Sequence, residues 1–226
     1  MTVRRFLHDN GLGLGFGLLF LLSLAGQAVT GHAQFNEEQA VHGAEAVTLG
    51  RYLTSSSFAV DVMENWQSEY LQFFLYIFGT VWLLQRGSPE SKALDKTGTE
   101  SDEEQKVGRF ADQDAPRWAR TGDWRTAVFS RSLGLVMGGI FVLCLAAQSI
   151  AGWAAFNAEQ LAGHQDAVTW LGYLGEPDFW SRMLQNWQSE MLAVGSMAVL
   201  GIYLRQRGSP ESKPVGAAHA DTGETT

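Results

Sequence analysis

Apolar residues gather along the chain into four long runs, near 12–31, 66–85, 133–152 and 187–204. A helix needs about 20 such residues to cross about 30 Å of hydrocarbon. None of the runs contains Lys or Arg, and most charged residues fall between them. The pattern predicts an all-α integral membrane protein with four transmembrane helices.

The second half of the chain repeats the first. Residues 14–92 align with 135–213 at a constant offset of 121 without a gap, and 34 of the 79 positions are identical. NWQSE recurs at 65–69 and 186–190, and QRGSPESK at 85–92 and 206–213. A period this long excludes a solenoid. The expectation is a tandem duplication of a two-span unit: 1–92 as the first repeat, 124–213 as the second, 93–123 between them and 214–226 as a tail. An even number of spans per repeat keeps both copies in one orientation, the parallel class of repeat.

Helix ends are legible in places. Gly43 is a C-cap candidate for the first helix, whose pattern runs on through FNEEQ. Ser55 offers an N-capping hydroxyl to the second helix, and Pro177 suits the first turn of the last. Gly87 and Gly208, each before Ser-Pro, read as helix stops. Each copy then forms an antiparallel hairpin protruding about 10–16 Å outward. Gly13 and Gly17 align with Gly134 and Gly138, small residues four apart that let helix backbones approach; their survival in both copies favours contact over apolar filler.

Charge sets the orientation. Of 16 Lys and Arg, two precede the first span, nine lie from Arg86 to Arg131, and three lie from Arg205 onward. The two expected outer loops hold only Arg51 and Arg182. The positive-inside rule therefore puts both termini and the linker in the cytoplasm. A cleaved signal peptide ending near Ala28 or Ala33 is the rival reading of the first span. The recurrence of its pattern at 133–152, in mid-chain, argues against that. Linker residues 93–123 and the tail from Pro214 lack apolar periodicity and read as disordered. Trp118 and Trp124, among Arg117, Arg120 and Arg125, suit either an interfacial anchor or an ordinary helix start.

The net charge of −8, with no basic tract, excludes a nucleic-acid binder, and one cysteine excludes a disulfide framework. The mean hydropathy of −0.06 averages apolar runs with polar connectors. Six polar residues in or beside the apolar runs stand out: Gln27, Asn65 and Glu69 in the first copy, Gln148, Asn186 and Glu190 in the second. Intramembrane ionisable groups point to function by default. Two facing carboxylates would share a proton or a cation; the plainer reading has each Glu within a turn of water beside Trp66 or Trp187. No histidine is repeated in register, so neither a symmetric haem or metal site nor any other cofactor is expected. P-loop, dinucleotide, CxxC and HExxH motifs are absent, and no catalytic residue is assigned.

FLHDNGL, LAGQAVTG, FNEEQ, GRYLTSSSF, ENWQSEYLQ and QRGSPESK together resemble an uncharacterised family of bacterial integral membrane proteins. The resemblance implies a bacterial cytoplasmic-membrane location and transfers no activity. Three functions stay open: a non-enzymatic structural or partner-binding membrane component, a small proton- or cation-coupled transporter using Glu69 and Glu190, and a membrane enzyme subunit without its own cofactor. The expected partners are the bilayer and either a protein partner or a second copy.

Overall fold

The computed structural model describes residues 2–223. Among them, all regular structure is helical: α1 (Val3–Asp9), α2 (Gly11–Val41), α3 (Leu49–Leu53), α4 (Ser56–Gly79), a 3-10 turn at Gly108–Phe110, α5 (Trp124–Phe129), α6 (Ser132–Ala162), α7 (Trp170–Tyr173) and α8 (Pro177–Tyr203).

α2 and α6 each have 31 residues, and both their first and last residues lie 121 apart. They end alike. Gly43 takes a left-handed φ of 69°, and the Ala44 N–H donates to the Gln39 carbonyl at 2.9 Å. His164, at φ 56°, occupies the matching position, and the Gln165 N–H donates to the Gln160 carbonyl at 2.8 Å. This six-to-one closure satisfies a carbonyl that the helix end would otherwise strand.

α4 begins as its sequence suggests, with the Ser55 hydroxyl accepting from the Phe58 N–H at 3.2 Å. It ends at Gly79, short of the expected Gln85. There the β-branched pair Thr80-Val81 follows a glycine, and the Thr80 hydroxyl bonds back to the Tyr76 carbonyl at 2.8 Å. Both features weaken continued helix. Gly87 and Gly208 therefore shape later turns, at φ 82° and 84°, rather than stopping the helices themselves. α8 carries Pro177 in its first turn, and at its far end Arg205 donates to the carbonyls of Gly201, Ile202 and Leu204.

Among the described residues, α2 and α6 are long and apolar enough to cross a membrane. The polar NWQSE stretches dilute α4 and α8 below that level. α2 is apolar on every side yet leaves Phe16, Leu18, Leu19, Leu21 and Leu22 exposed. α6 exposes Leu135, Val136, Val142, Leu143 and Ile150 in the same way.

The chain divides into two compact units, Met1–Val62 with Ala147–Gly175, and Met63–Ala146 with Glu176–Thr226. Buried Tyr52, Val60, Val62 and Tyr173 centre the first. Leu71, Cys144, Phe179, Met183 and Ile202 centre the second. Segment 93–123, expected to be a disordered tether, runs in successive turns. The Gly98 N–H donates to the Val81 carbonyl, Lys92 pairs with Glu100, and the Gly108 N–H donates to the Ala119 carbonyl at 2.7 Å. The tail is likewise held by hydrogen bonds as far as Gly223; residues 224–226 of that expected segment lie outside the described residues.

Candidate functional site

The first unit holds a backbone clamp built twice. Asn36 accepts from the Val47 N–H at 2.8 Å through Oδ1 and donates to the Val47 carbonyl at 3.1 Å through Nδ2. Asn157 makes the same pair of bonds to Val168, both at 2.9 Å. A primary amide can meet a peptide's donor and acceptor together. A ring nitrogen meets each carbonyl as well: His32 Nε2 lies 2.7 Å from that of Val47, and Trp153 Nε1 donates to that of Val168 at 2.8 Å. His32 Nε2 also lies 2.9 Å from Asn36 Nδ2, so its role there is set by the tautomer. The next residue in each copy caps a short helix, Thr48 for α3 and Thr169 for α7.

Below the clamp, Tyr52 and Tyr173 are almost wholly buried, at 2% and 1% exposure. Each hydroxyl rests on a helical glycine, Gly31 or Gly152. Their rings lie 5.5 Å from Phe35 and 5.4 Å from Phe156. Burial, reinforced by Asp61 and Glu38, pushes the Tyr52 hydroxyl above its ordinary pKa of 10.0.

In the second unit α4 and α8 are tied by two polar links. Arg182 Nη1 reaches Glu64 at 3.4 Å while its Nε holds Asp178 at 3.3 Å. Trp187 Nε1 donates to Gln67 Oε1 at 3.0 Å, and Gln67 is fully buried. Asn186 donates to the Arg182 carbonyl and the Ser68 hydroxyl to the Asn65 carbonyl, both local helix contacts. Glu69 is exposed and Glu190 half-buried, and the two lie within electrostatic reach of each other.

The twin QRGSPESK strings fold into twin turns in this unit. Ser91 and Ser212 hydroxyls accept from the N–H of Gln85 and Gln206, at 3.0 and 2.9 Å. Ser88 and Ser209 accept from Glu90 and Glu211, both at 3.2 Å. The first turn is covered by the tail. Lys213, 3% exposed, donates to the carbonyls of Gly87, Ala218, His219 and Asp221, and the Gly87 N–H donates to the Thr222 hydroxyl. Burial, with Arg205 nearby, draws the Lys213 ammonium below its usual range against the pull of Asp221.

Of the residues singled out from sequence, Gln27 and Gln148 lie in the first unit and Asn65, Glu69, Asn186 and Glu190 in the second. Gln148 is buried, with Oε1 lacking a hydrogen-bond partner, while Gln27 is half-exposed. A Cβ added at Gly13, Gly17 or Gly134 would meet no atom within 4 Å, so of the four glycines expected at helix contacts only Gly138 has a close neighbour, Phe74. The clamp residues Asn36 and Asn157 were visible only as repeated letters. The pairing of His32 with Trp153 was hidden by their mismatch, although both bring a ring nitrogen to the clamped carbonyl. Among the described residues no three His, Cys, Asp or Glu side chains gather as a metal site. Surface cavities of about 370 and 450 Å³ lie at the linker near Lys106 and at the Gly208 turn, away from Glu69 and Glu190.

These features define an all-helical protein with two helices of membrane-crossing length and a clamp built in duplicate. Residues 3–224 match the family described as Domain of unknown function (DUF6766), and the chain belongs to that family. No curated protein and no solved structure matches it.

Proposed function

We propose that the chain is a multi-pass component of the bacterial cytoplasmic membrane, non-enzymatic, serving as a structural or partner-binding element. In this reading α2, α4, α6 and α8 all cross the bilayer as two tandem hairpins, with both termini and segment 93–123 in the cytoplasm. The observation that carries it is the exposed apolar surface of α2 and α6. A helix that is apolar all round needs either a protein core or lipid about it, and here most side chains of the apolar stretches are not buried in protein. The equal lengths and matched caps of the two helices, with the twin clamps, support the duplicated unit. Several conspicuous polar side chains, Asn36, Asn157, Gln67 and Asn186, are spent on holding backbone and neighbouring helices. That favours a scaffold over a reaction centre.

The test is fractionation. The full chain should stay with membranes through alkaline carbonate and come away only in detergent. Recovery in the aqueous wash would end the reading. Retention of a stoichiometric protein, or of a second tagged copy, would identify the partner.

The recurrence of a Glu at the matching place of each copy, Glu69 and Glu190, favours one second reading, a small proton- or cation-coupled pathway. Replacing both by Gln should abolish proton- or cation-dependent flux in proteoliposomes if that reading holds, and leave membrane insertion and partner recovery unchanged if it does not.

A further inference from the structure

Immediately before α6 the chain carries RWARTGDWRTAVFSR, residues 117–131. Four arginines, Arg117, Arg120, Arg125 and Arg131, face one acid, Asp123, and all four are exposed. The acid is already engaged, since Asp123 accepts from the Thr121 hydroxyl at 2.8 Å and the Arg125 N–H at 2.9 Å. Trp118 and Trp124 meet edge to face, with ring centroids 6.1 Å apart. Although paired, they remain 43% and 64% exposed, and Val128, Phe129 and Leu133 beside them are exposed too. The arrangement is fixed locally. The Thr126 hydroxyl donates to the Trp118 carbonyl at 2.7 Å and lies 3.1 Å from the Thr121 hydroxyl, and the Arg125 guanidinium lies 5.7 Å from the centre of the Trp124 ring.

We propose that this collar is a docking surface for anionic lipid headgroups of the inner leaflet. Three features select that occupant. The charge complements phosphate, and guanidinium groups bind phosphate oxygens in pairs. Tryptophan rings side by side with arginines suit the headgroup layer, where one end of the ring is apolar and the other wet. The surface is continuous with α6, whose first residue, Ser132, directly follows Arg131, so the collar sits where a crossing helix meets its leaflet. Asp112 and Asp114 flank the collar; Asp112 is paired with Lys106 at 3.4 Å, and Arg120 Nη1 donates to the carbonyl of Gln113 between them at 3.0 Å.

The inference rests on the membrane reading, and its test separates the two. The full chain is reconstituted in phosphatidylcholine vesicles holding a trace of spin-labelled phosphatidylglycerol or spin-labelled phosphatidylcholine, and the protein-immobilised fraction of each label is read. Immobilised phosphatidylglycerol should exceed phosphatidylcholine several-fold. Each arginine replaced by Gln should lower that preference in part, until R117Q/R120Q/R125Q removes most of it. R117K/R120K/R125K should keep most of it, which separates lost charge from lost fold. Molar salt should erase the preference by screening. Equal immobilisation of the two lipids, or a preference untouched by the Gln substitutions, overturns the collar while the chain stays carbonate-resistant in the vesicles. Release of the chain by carbonate would overturn the membrane reading instead.

Discussion

At the residue scale, the duplicated clamp ties sequence to stability through very few atoms. Gly31 lies directly under the Tyr52 hydroxyl, with the ring Cζ only 3.2 Å from where a Cβ would stand. Gly31→Ala should therefore cost about 1–3 kcal/mol through overpacking, read as a lowered melting temperature in detergent. The double variant G31A/Y52F should recover part of the loss, because the clashing hydroxyl is gone; a purely additive pair would refute the contact. His164 makes the opposite case. It holds a left-handed φ of 56° where the other copy has Gly43. That conformation costs a side-chain-bearing residue about 1–2 kcal/mol, so His164→Gly should stabilise by about 1 kcal/mol. No gain would mean that the histidine ring compensates elsewhere. Tyr52 supplies a pH dependence. Its hydroxyl titrates above the ordinary value because burial disfavours the phenolate, with Asp61 and Glu38 adding to it. The folded state then holds this proton more tightly than the unfolded one, so its contribution is complete below about pH 10 and lost as pH rises beyond that. Alkaline unfolding should shift upward in Tyr52→Phe relative to the parent. An unchanged midpoint would sink this assignment.

At the element scale, the beginnings of α4 and α8 and the cap of α2 were legible because they depend on local chemistry: Ser55 before α4, Pro177 in α8, Gly43 after α2. The end of α4 was not, because an apolar run through Val81, Trp82 and Leu83 continues the hydropathy signal past the point where Gly79 and Thr80 weaken the helix. The link between α4 and α8 was equally hidden. Glu64 aligns with Gln185 and Arg182 with Asp61, so identity between the copies gives no hint of a pair; it arises from differences between them. The pair is partly exposed, 38% at Arg182 and 16% at Glu64, so a double-mutant cycle with E64Q and R182Q should give a coupling of only about 0.5–1 kcal/mol. Exchanging the charges, as E64R/R182E, should restore more stability than either single reversal allows. Zero coupling would show that this pair does not join the helices, leaving that to the Trp187–Gln67 bond.

At the scale of the whole molecule, lysine and arginine placement makes a sharper claim than any hydropathy plot. Fourteen of the 16 cations fall in the segments assigned to the cytoplasm, and the tip of each copy holds a single arginine. In the proposed reading, two hairpins in the same orientation place these 14 on one side, and the apolar lengths of α2 and α6 are compatible with it. Cys144 is the chain's one cysteine, and its aligned partner is Ser23, so Cys144→Ser gives a natural background for labelling. Single cysteines then go to exposed positions, Glu45→Cys and Asp166→Cys at the tips and Thr99→Cys in the linker. On intact cells a membrane-impermeant maleimide should modify both tip positions, and the linker position only after the membrane is opened. Labelling of one tip but not the other would mean that the copies face opposite ways. The positive-inside count would then have failed, and the matched clamps would serve two different compartments, which their near-identical bonding makes hard to justify. Modification of Thr99→Cys from outside, with both tips protected, would instead invert the whole assembly and place the arginine collar on the wrong leaflet.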